Sequence, residues 1–393
     1  MRKRFVALMM TITIFAITMV GCAGSSASSD AAKNVNTESA EKMLSSANGE
    51  ETEMTIPEKI KNTIENGGDP TAAVRVTPED EYYIFELDEN VERTHVYYRT
   101  RYGIELAGDL YVAKDADLTK TYPALVIGPP FGGVKEQGPG VYANQLAQRG
   151  FVVLTFDPAY HGWSGGLPRY TAATELYVED FSAGVDYLGL LDYVDREKIG
   201  VIGICGSGGF AIGAAAQDTR IKAVATSAMY DITGMGASMT GDARNEMLSG
   251  INLQRWTDAE SGEKALNLQY SAEAPMEKLP EDMEGLDVEW NSFYSLKRGW
   301  HPNAYANVTT TSMLSLMSFA ALAHMQDISP RPILFVTGDI AHSRGMSEEF
   351  YERAVEPKEL YIAEGDVMHI DLYDDIEKIP FDKLESFFKE NLK

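Results

Sequence analysis

Residues 199–209 read Ile-Gly-Val-Ile-Gly-Ile-Cys-Gly-Ser-Gly-Gly, and this stretch decides the fold. A run of β-forming residues enters a Gly-rich turn, and an Ala-rich helical segment follows at residues 210–216. This pattern is typical of a nucleophile elbow, in which one residue stands at the tip of a sharp, strained strand-to-helix turn. The tip residue is Cys205. Because the helix N-terminus beneath it carries free N–H groups and a partial positive charge, we expect it to favour a thiolate and a developing oxyanion.

Short apolar strands alternate with helical segments on both sides of the elbow. The pattern predicts strands at 124–127, 151–156, 199–204, 221–228, 332–338 and 359–363, and helices at 138–149, 178–191, 211–217, 347–355 and 381–392. Unbroken apolar strands that alternate with helices indicate an α/β protein with a doubly wound, mostly parallel sheet. Upstream, the alternating pattern of residues 81–114 predicts an antiparallel hairpin, and residues 56–66 predict one short helix.

The alternation stops between Asp231 and Ile328, which predicts a helical cap at about 232–328 inserted between two late strands. The segment is rich in methionine and in aromatic residues. Flexible and aromatic side chains suit an adaptable apolar pocket that the cap would gate. They equally suit a small core of the cap itself, and the sequence does not decide between the two.

The N-terminus has the pattern of an export signal. Residues 2–4 are basic, and residues 5–20 are mostly apolar. The stretch that ends in Gly21-Cys22 resembles the bacterial lipobox, with Met19 in place of the usual leucine. We therefore predict a lipoprotein signal peptide at 1–21, lipidation of Cys22, a polar flexible tether at 22–55 and a folded domain at 56–393. The location implied is the extracytoplasmic face of a bacterial cell membrane. An ordinary secretory peptide with an incidental cysteine is the alternative.

The overall charge limits the partners. A formal net charge of −25 and a pI near 4.6 argue against nucleic acid or an anionic membrane surface as a charge-steered partner. Membrane association is then expected only through the lipid anchor. The two cysteines, Cys22 and Cys205, give no disulfide framework when Cys22 carries lipid.

A cysteine nucleophile needs a base and a group that orients the base. Of six histidines, His369 is best placed, in the loop after the strand at 359–363. Asp339, directly after the strand at 332–338, gives the chain order nucleophile–acid–His. Asp231 is the second candidate for the acid, and Glu348 the third. Ser207 is the competing nucleophile, but it would already lie in the helix.

The oxyanion hole is expected to combine the N–H of Gly206 with one from the loop after the first core strand, residues 128–134. Because Pro129 and Pro130 have no N–H, Phe131 or Gly132 is the expected donor.

With these residues, the chain resembles the α/β-hydrolase superfamily, and within it the dienelactone-hydrolase-like group, which has Gly-x-Cys-x-Gly-Gly at its elbow. It is most similar to uncharacterised bacterial members that share the loop Ala341–Arg344 and the segments 356–360 and 369–373. The turn at 156–166 is common across the superfamily. Dienelactone hydrolase has a Glu after its first core strand that influences the cysteine, whereas here the nearest carboxylate is Glu136. It also lacks a cap of this size, which makes dienelactone an unexpected substrate.

The resemblance implies a hydrolase that cleaves an ester or thioester with an apolar acyl group through Cys205, His369 and Asp339, with no metal or organic cofactor. Acyl transfer to another acceptor on the same triad is one alternative. A catalytically silent lipoprotein that holds an apolar ligand under the cap is another. Substrate identity and oligomeric state do not follow from the sequence.

The lipidation hypothesis is tested by Cys22→Ser. Since the acyl chains would be the anchor, the substituted protein should leave the membrane fraction and appear in the soluble one, as followed by immunoblot of fractionated cells. Retention in the membrane at the wild-type level would contradict the hypothesis.

Overall fold

An eight-stranded sheet forms the centre of the domain. The protein is described by a computed structural model over residues 82–267, 274–304 and 308–393. The signal peptide, the tether, Cys22 and the short helix at 56–66 lie outside these residues.

The strands follow the order β1-β2-β4-β3-β5-β6-β9-β10 across the sheet. The first two pair antiparallel, β2 pairs antiparallel with β4, and all other neighbours are parallel. Two short strands, β7 and β8, form a separate antiparallel ribbon. The bounds are β1 (Val91–Arg99), β2 (Glu105–Ala113), β3 (Tyr122–Gly128), β4 (Val152–Phe156), β5 (Val194–Ile204), β6 (Ile221–Ser227), β7 (Leu266–Asn267), β8 (Val308–Thr309), β9 (Ile333–Gly338) and β10 (Lys358–Ala363).

Helices cover both faces of this sheet. In chain order they are α1 (Gly138–Ala147), α2 (Thr174–Leu188), α3 (Ser207–Gln217), α4 (Ile232–Ala237), α5 (Gly241–Ser261), α6 (Leu286–Tyr294), α7 (Met313–Leu316), α8 (Arg344–Arg353), α9 (Asp371–Asp374) and α10 (Phe381–Asn391), with 3₁₀ turns at Thr310–Ser312 and Met325–Ile328. None of the helices within the described ranges is both long and apolar enough to cross a bilayer.

Alternation along the central strands divides the core in two. In β3, Ala124 and Val126 pack with α2, α3 and α8, whereas Leu125 and Ile127 pack with α1, α9 and α10. Successive side chains of a strand point to opposite faces, so a strand covered on both sides must be apolar throughout. This is why the central strands are continuous apolar runs.

The chain between β6 and β9 forms an insert that consists of the 21-residue helix α5, the shorter helices α4, α6 and α7, and the β7–β8 ribbon. Hydrogen bonds attach this insert to the rest of the domain, from the Gln137 side chain to the Gly299 carbonyl (2.6 Å) and from Thr309 N to the Tyr170 carbonyl (2.8 Å). The Arg298 guanidinium also binds the Asp374 carboxylate, with 2.7 Å between Nη2 and Oδ1.

The predicted fold class is confirmed, and so is the N-terminal antiparallel hairpin. The main differences lie at element ends. Helix α3 begins at Ser207 rather than at residue 211, and α2 begins at Thr174 rather than at 178. Strand β5 begins at Val194 rather than at 199, because Val194 pairs with Tyr122 of β3.

The turn from β5 into α3 requires glycine at position 203. A Cβ at Gly203 would lie 2.1 Å from the carbonyl oxygen of Ser207, a backbone atom that no side-chain rotation can move. The strand and the helix therefore approach each other more closely than any other residue permits.

We expect Gly203→Ala to lower the free energy of unfolding by about 1–3 kcal/mol, because the methyl group must displace the helix backbone. Gly250→Ala is the matched control. Gly250 is exposed within α5 with nothing near its Cβ position, so this change should raise the free energy of unfolding by about 0.5–1 kcal/mol. Equal effects of the two substitutions in urea unfolding would contradict the close-approach argument.

Candidate active site

Cys205 stands at the tip of the elbow. Its φ of +52° lies in the left-handed region, which is strained for a residue with a side chain. Its N–H is held by the Ser227 carbonyl (2.9 Å) and its carbonyl by the N–H of Gly208 (2.9 Å) and Tyr230 (2.8 Å). Ser207 is the first residue of α3. The tip of the turn is therefore Cys205 and not the competing serine.

Two backbone N–H groups point at the Cys205 sulfur, those of Gly206 and Phe131. Of the two donors that the sequence left open, Phe131 rather than Gly132 reaches Sγ. The approach is close, because a Cβ at Gly206 would lie 2.7 Å from the Phe131 Cβ. The pair has the geometry of an oxyanion hole, with N–H groups that converge beside the Cys205 sulfur.

His369 is completely buried and both its ring nitrogens have partners. Nδ1 lies 2.6 Å from the Ser343 hydroxyl, and Nε2 lies 3.0 Å from the Tyr373 hydroxyl. The Tyr373 hydroxyl is also hydrogen-bonded to the Cys205 sulfur. Cys205 and His369 therefore belong to one hydrogen-bonded chain, but a tyrosine hydroxyl stands between them.

The prediction that Asp339 orients the imidazole is wrong. Its carboxylate accepts hydrogen bonds from the backbone N–H groups of Gly365 (3.1 Å), Asp366 (3.2 Å) and Val367 (2.7 Å). These bonds, that from Val367 first, hold the pKa of Asp339 below its ordinary value. Asp339 thus shapes the loop that leads to His369.

The other two candidate acids are also engaged elsewhere. Asp231 caps α4 by accepting from the Thr233 N–H (3.1 Å) and hydroxyl (2.7 Å). Glu348 pairs with Arg344 within α8 (2.8 Å). In the part of the chain that the structure describes, the group at Nδ1 is a neutral hydroxyl, Ser343, and not a carboxylate.

Burial keeps both reacting groups neutral. It raises the pKa of the Cys205 thiol to about 11, although hydrogen bonds from Tyr373, Gly206 and Phe131 oppose the change. Burial, and next the neighbouring His342, lower the pKa of His369 well below its ordinary value. The expectation that the helix N-terminus favours a thiolate is therefore not met in the free protein, because desolvation of the buried sulfur outweighs the nearby dipoles.

A second histidine packs on the first. The His342 ring stacks on the His369 ring with 4.5 Å between their centroids. Two neighbouring residues of the insert hold this pair: Glu289 accepts from His342 Nδ1 (3.0 Å), and the Trp290 ring lies 5.0 Å from both imidazoles. Burial alone would raise the pKa of Glu289, but hydrogen bonds from His342 and from the N–H groups of Ile370 and His369 lower it.

A cavity of about 600 Å³ opens onto the Cys205 sulfur. Most of its wall comes from the insert, and no lysine or arginine is among the described residues that line it. The lining residues are Phe131, Cys205, Tyr230, Ile232, Asn267, Met283, Asp287, Trp290, Asn291, Tyr294, Val308, Met313, Leu316 and Tyr373. Some apolar residues of the insert thus line the cavity, as the pocket hypothesis expects. Others do not form a core of the cap itself, because Phe293 and Met325 pack into the two cores that flank the main sheet.

A buried ion cluster fixes the far end of the loop that carries Phe131. Asp157 accepts from the Lys135 N–H (2.8 Å), and the Lys135 ammonium lies 3.6 Å from Asp109. Glu136, the nearest carboxylate after the first core strand, pairs with Lys135 and lies 3.8 Å from His301. Glu136 therefore belongs to this cluster and not to the cysteine site. Within the described ranges, no three His, Cys, Asp or Glu side chains are grouped to hold a metal ion.

The sequence did not predict five residues of the site: Ser343, Tyr373, His342, Glu289 and Trp290. The first three lie in the two segments, 341–344 and 369–373, whose likeness to bacterial hydrolases was noted without a role for the side chains. Glu289 and Trp290 gave no sequence signal, because their positions depend on how the insert folds over the sheet.

Comparison with known proteins supports the fold. The profile of the dienelactone hydrolase family matches residues 109–230. The uncharacterized protein PA2218 of Pseudomonas aeruginosa is 47% identical over 316 residues, which cover 78% of this chain and 83% of that protein. The chain belongs to the dienelactone hydrolase family of α/β-hydrolases. The crystal structure of PA2218 superposes with a TM-score of 0.74 over 79% of this chain and 98% of that one.

Two fungal relatives of this chain have names that state an activity. The acyltransferase drtE of Aspergillus calidoustus is 26% identical and covers 70% of this chain and 87% of its own length. The thiohydrolase aneE of Aspergillus aculeatus is 27% identical over 62% of this chain and 76% of its own length.

Substitutions at Ser343 and Asp339 can show which of the two residues orients the imidazole and which supports the loop. Because Ser343 touches the ring that must accept a proton, Ser343→Ala should lower kcat for a chromogenic ester about tenfold or more with little change in Tm. Asp339→Asn keeps the shape but weakens the loop hydrogen bonds, so it should lower Tm more than Ser343→Ala does. A much larger loss of kcat in Asp339→Asn than in Ser343→Ala would restore the aspartate as the orienting group.

Proposed function

We propose that this protein is an acyl-cleaving enzyme in which Cys205 attacks the carbonyl carbon of a thioester or ester. The observation that carries the proposal is the convergence of the Gly206 and Phe131 N–H groups on the sulfur of a cysteine in left-handed conformation, at the floor of a cavity. A packing cysteine has no need of that strain or of two converging donors.

The neutral thiol and imidazole define the order of events. His369 removes the thiol proton as the sulfur attacks, and the new oxyanion accepts hydrogen bonds from the Gly206 and Phe131 N–H groups. The proton then passes from His369 to the leaving group, and an acyl-cysteine remains. A second nucleophile, activated by His369, releases the acyl group.

Water is the proposed second nucleophile, in keeping with the thiohydrolase among the relatives. Acyl transfer to another acceptor is the second candidate. It is favoured by the apolar part of the cavity wall, which includes Ile232, Val308, Met313 and Leu316, and by the acyltransferase among the relatives. An apolar wall protects an acyl-enzyme from water and gives an alternative acceptor time to bind.

The cavity also limits the acyl group. Its apolar wall suits an aliphatic or aromatic acyl chain, while the described lining offers no cation to a substrate carboxylate. Since Asp287 stands in the same wall, a negatively charged substrate would be repelled. We propose neutral acyl substrates, met outside the cytoplasm by a protein anchored through Cys22.

Cys205→Ala and His369→Ala should each lower kcat by roughly 10³-fold or more, and the double variant little further, because members of one catalytic unit are strongly non-additive. Ser207→Ala is the matched control and should be much milder, since that hydroxyl lies past the tip. The measurement is turnover of matched neutral and carboxylated esters and thioesters, with and without an alcohol or amine acceptor.

A dead Ser207→Ala enzyme beside an active Cys205→Ala enzyme would reverse the assignment of the nucleophile. Faster turnover of carboxylated substrates than of their neutral counterparts would contradict the proposed substrate class. Product that appears mainly on the added acceptor would favour transfer over hydrolysis.

A further inference from the structure

The Tyr373 hydroxyl interacts with both Cys205 and His369. It is hydrogen-bonded to the Cys205 sulfur and lies 3.0 Å from His369 Nε2. No hydrogen bond joins the sulfur directly to the imidazole in the described part of the chain. A proton that leaves the thiol has this hydroxyl as its neighbour, and the imidazole comes after it.

The hydrogen-bond directions along the chain are mutually consistent. If His369 Nδ1–H donates to Ser343 Oγ at 2.6 Å, Nε2 carries a lone pair and accepts from the Tyr373 O–H. The Tyr373 oxygen is then free to accept from the Cys205 S–H. Every group thus donates in the direction in which the proton must move.

Tyr373 cannot be the base itself. Burial, and next the neighbouring Cys205 and Tyr294, raise its pKa well above the ordinary value, so a stable phenolate is strongly disfavoured. It can accept a proton only if it gives one up in the same step.

We propose that Tyr373 is a catalytic residue that relays the thiol proton from Cys205 to His369, a role that rests on the proposed function. As the sulfur attacks, the S–H bond breaks and an O–H bond forms at Tyr373. The former tyrosine O–H bond breaks as an N–H bond forms at Nε2 of His369. The tyrosine ends neutral with a new proton, and the imidazolium donates through Nδ1 to Ser343.

The surroundings of His369 also favour a relay. The ring of His369 is held between Ser343 at Nδ1, the stacked His342 ring and the Trp290 ring 5.0 Å away. These contacts hold the imidazole where its Nε2 faces the Tyr373 hydroxyl at 3.0 Å. The hydroxyl is thus already placed between the imidazole and the sulfur.

The test compares Tyr373→Phe with wild type in the full-length protein purified in detergent. Rapid-mixing measurement of the p-nitrophenol burst gives the rate of acyl-enzyme formation. We expect Tyr373→Phe to slow the burst by about 10²-fold or more, the size of a lost acid–base contribution, with KM little changed. Tyr142→Phe is the matched control, because this buried hydroxyl bonds to Ser227 (2.7 Å) and the Leu372 carbonyl (2.7 Å) and not to the cysteine.

A proton inventory separates a relay from a structural role. Two protons move in one step in the relay, so the burst rate in H₂O–D₂O mixtures should curve with deuterium fraction in wild type and in Tyr142→Phe. It should become linear, or show no isotope effect, in Tyr373→Phe. A slowed burst with an unchanged curved inventory would overturn the relay and leave Tyr373 a structural role.

Two further outcomes are decisive. A burst in Tyr373→Phe within about threefold of wild type would overturn the relay alone, whereas a burst that survives Cys205→Ala would overturn the proposed function with it.

If Tyr373→Phe does not fold, 3,5-difluorotyrosine incorporated at position 373 keeps the hydroxyl and lowers its pKa. The relay then predicts a changed burst rate with the curved inventory retained, and an unchanged rate would overturn it.

Discussion

The close approach of β5 and α3 at Gly203 is the constraint on which the site depends. A Cβ at Gly203 would lie 2.1 Å from the Ser207 carbonyl oxygen, so only glycine allows the strand and the helix to come this close. The chain turns between them at Cys205, which adopts a φ of +52°. The same turn starts α3 directly beneath the sulfur and aims the Gly206 N–H at it. A strained backbone persists only where its surroundings over-determine it. Here Ser227, at the end of β6, holds the Cys205 N–H, and Tyr230, in the loop that follows, holds the Cys205 carbonyl.

The candidate site is buried and has few charged groups. Cys205, His369 and Tyr373 are almost without solvent contact, and the partner of Nδ1 is a hydroxyl. In a buried site an ion pair of thiolate and imidazolium is costly to form before substrate arrives, because desolvation disfavours both charges. A neutral orienting group fits this arrangement, since an unpaired carboxylate beside a neutral imidazole would itself be a buried charge. The charge that develops on the substrate oxygen is met instead by fixed N–H groups.

The sequence predicted the parts of this molecule that depend on local pattern. Apolar strands, the glycine spacing around Cys205 and the missing N–H groups of Pro129 and Pro130 are readable in order along the chain. Asp339 was misassigned because its place after β9 is right for an orienting acid, but the adjacent loop offers three backbone N–H groups that claim the carboxylate first. Tyr373 and Ser343 meet His369 only after two loops and α9 pack together. Contacts of this kind join residues that are distant along the chain, so no periodic pattern or fixed spacing in a single sequence indicates them.

The insert supports the two histidines as well as covering the cavity. Glu289 accepts from His342 and from the N–H of Ile370 (3.3 Å), so one carboxylate ties α6 to the loop that carries His369. Trp290, the next residue, packs against both imidazoles. A movement of α6 would therefore change the cavity wall and the support of the catalytic base together. Because Trp290, Asn291 and Tyr294 of α6 line the cavity while Glu289 and Trp290 contact the loop of His369, one helix determines both the shape of the cavity and the surroundings of the imidazole.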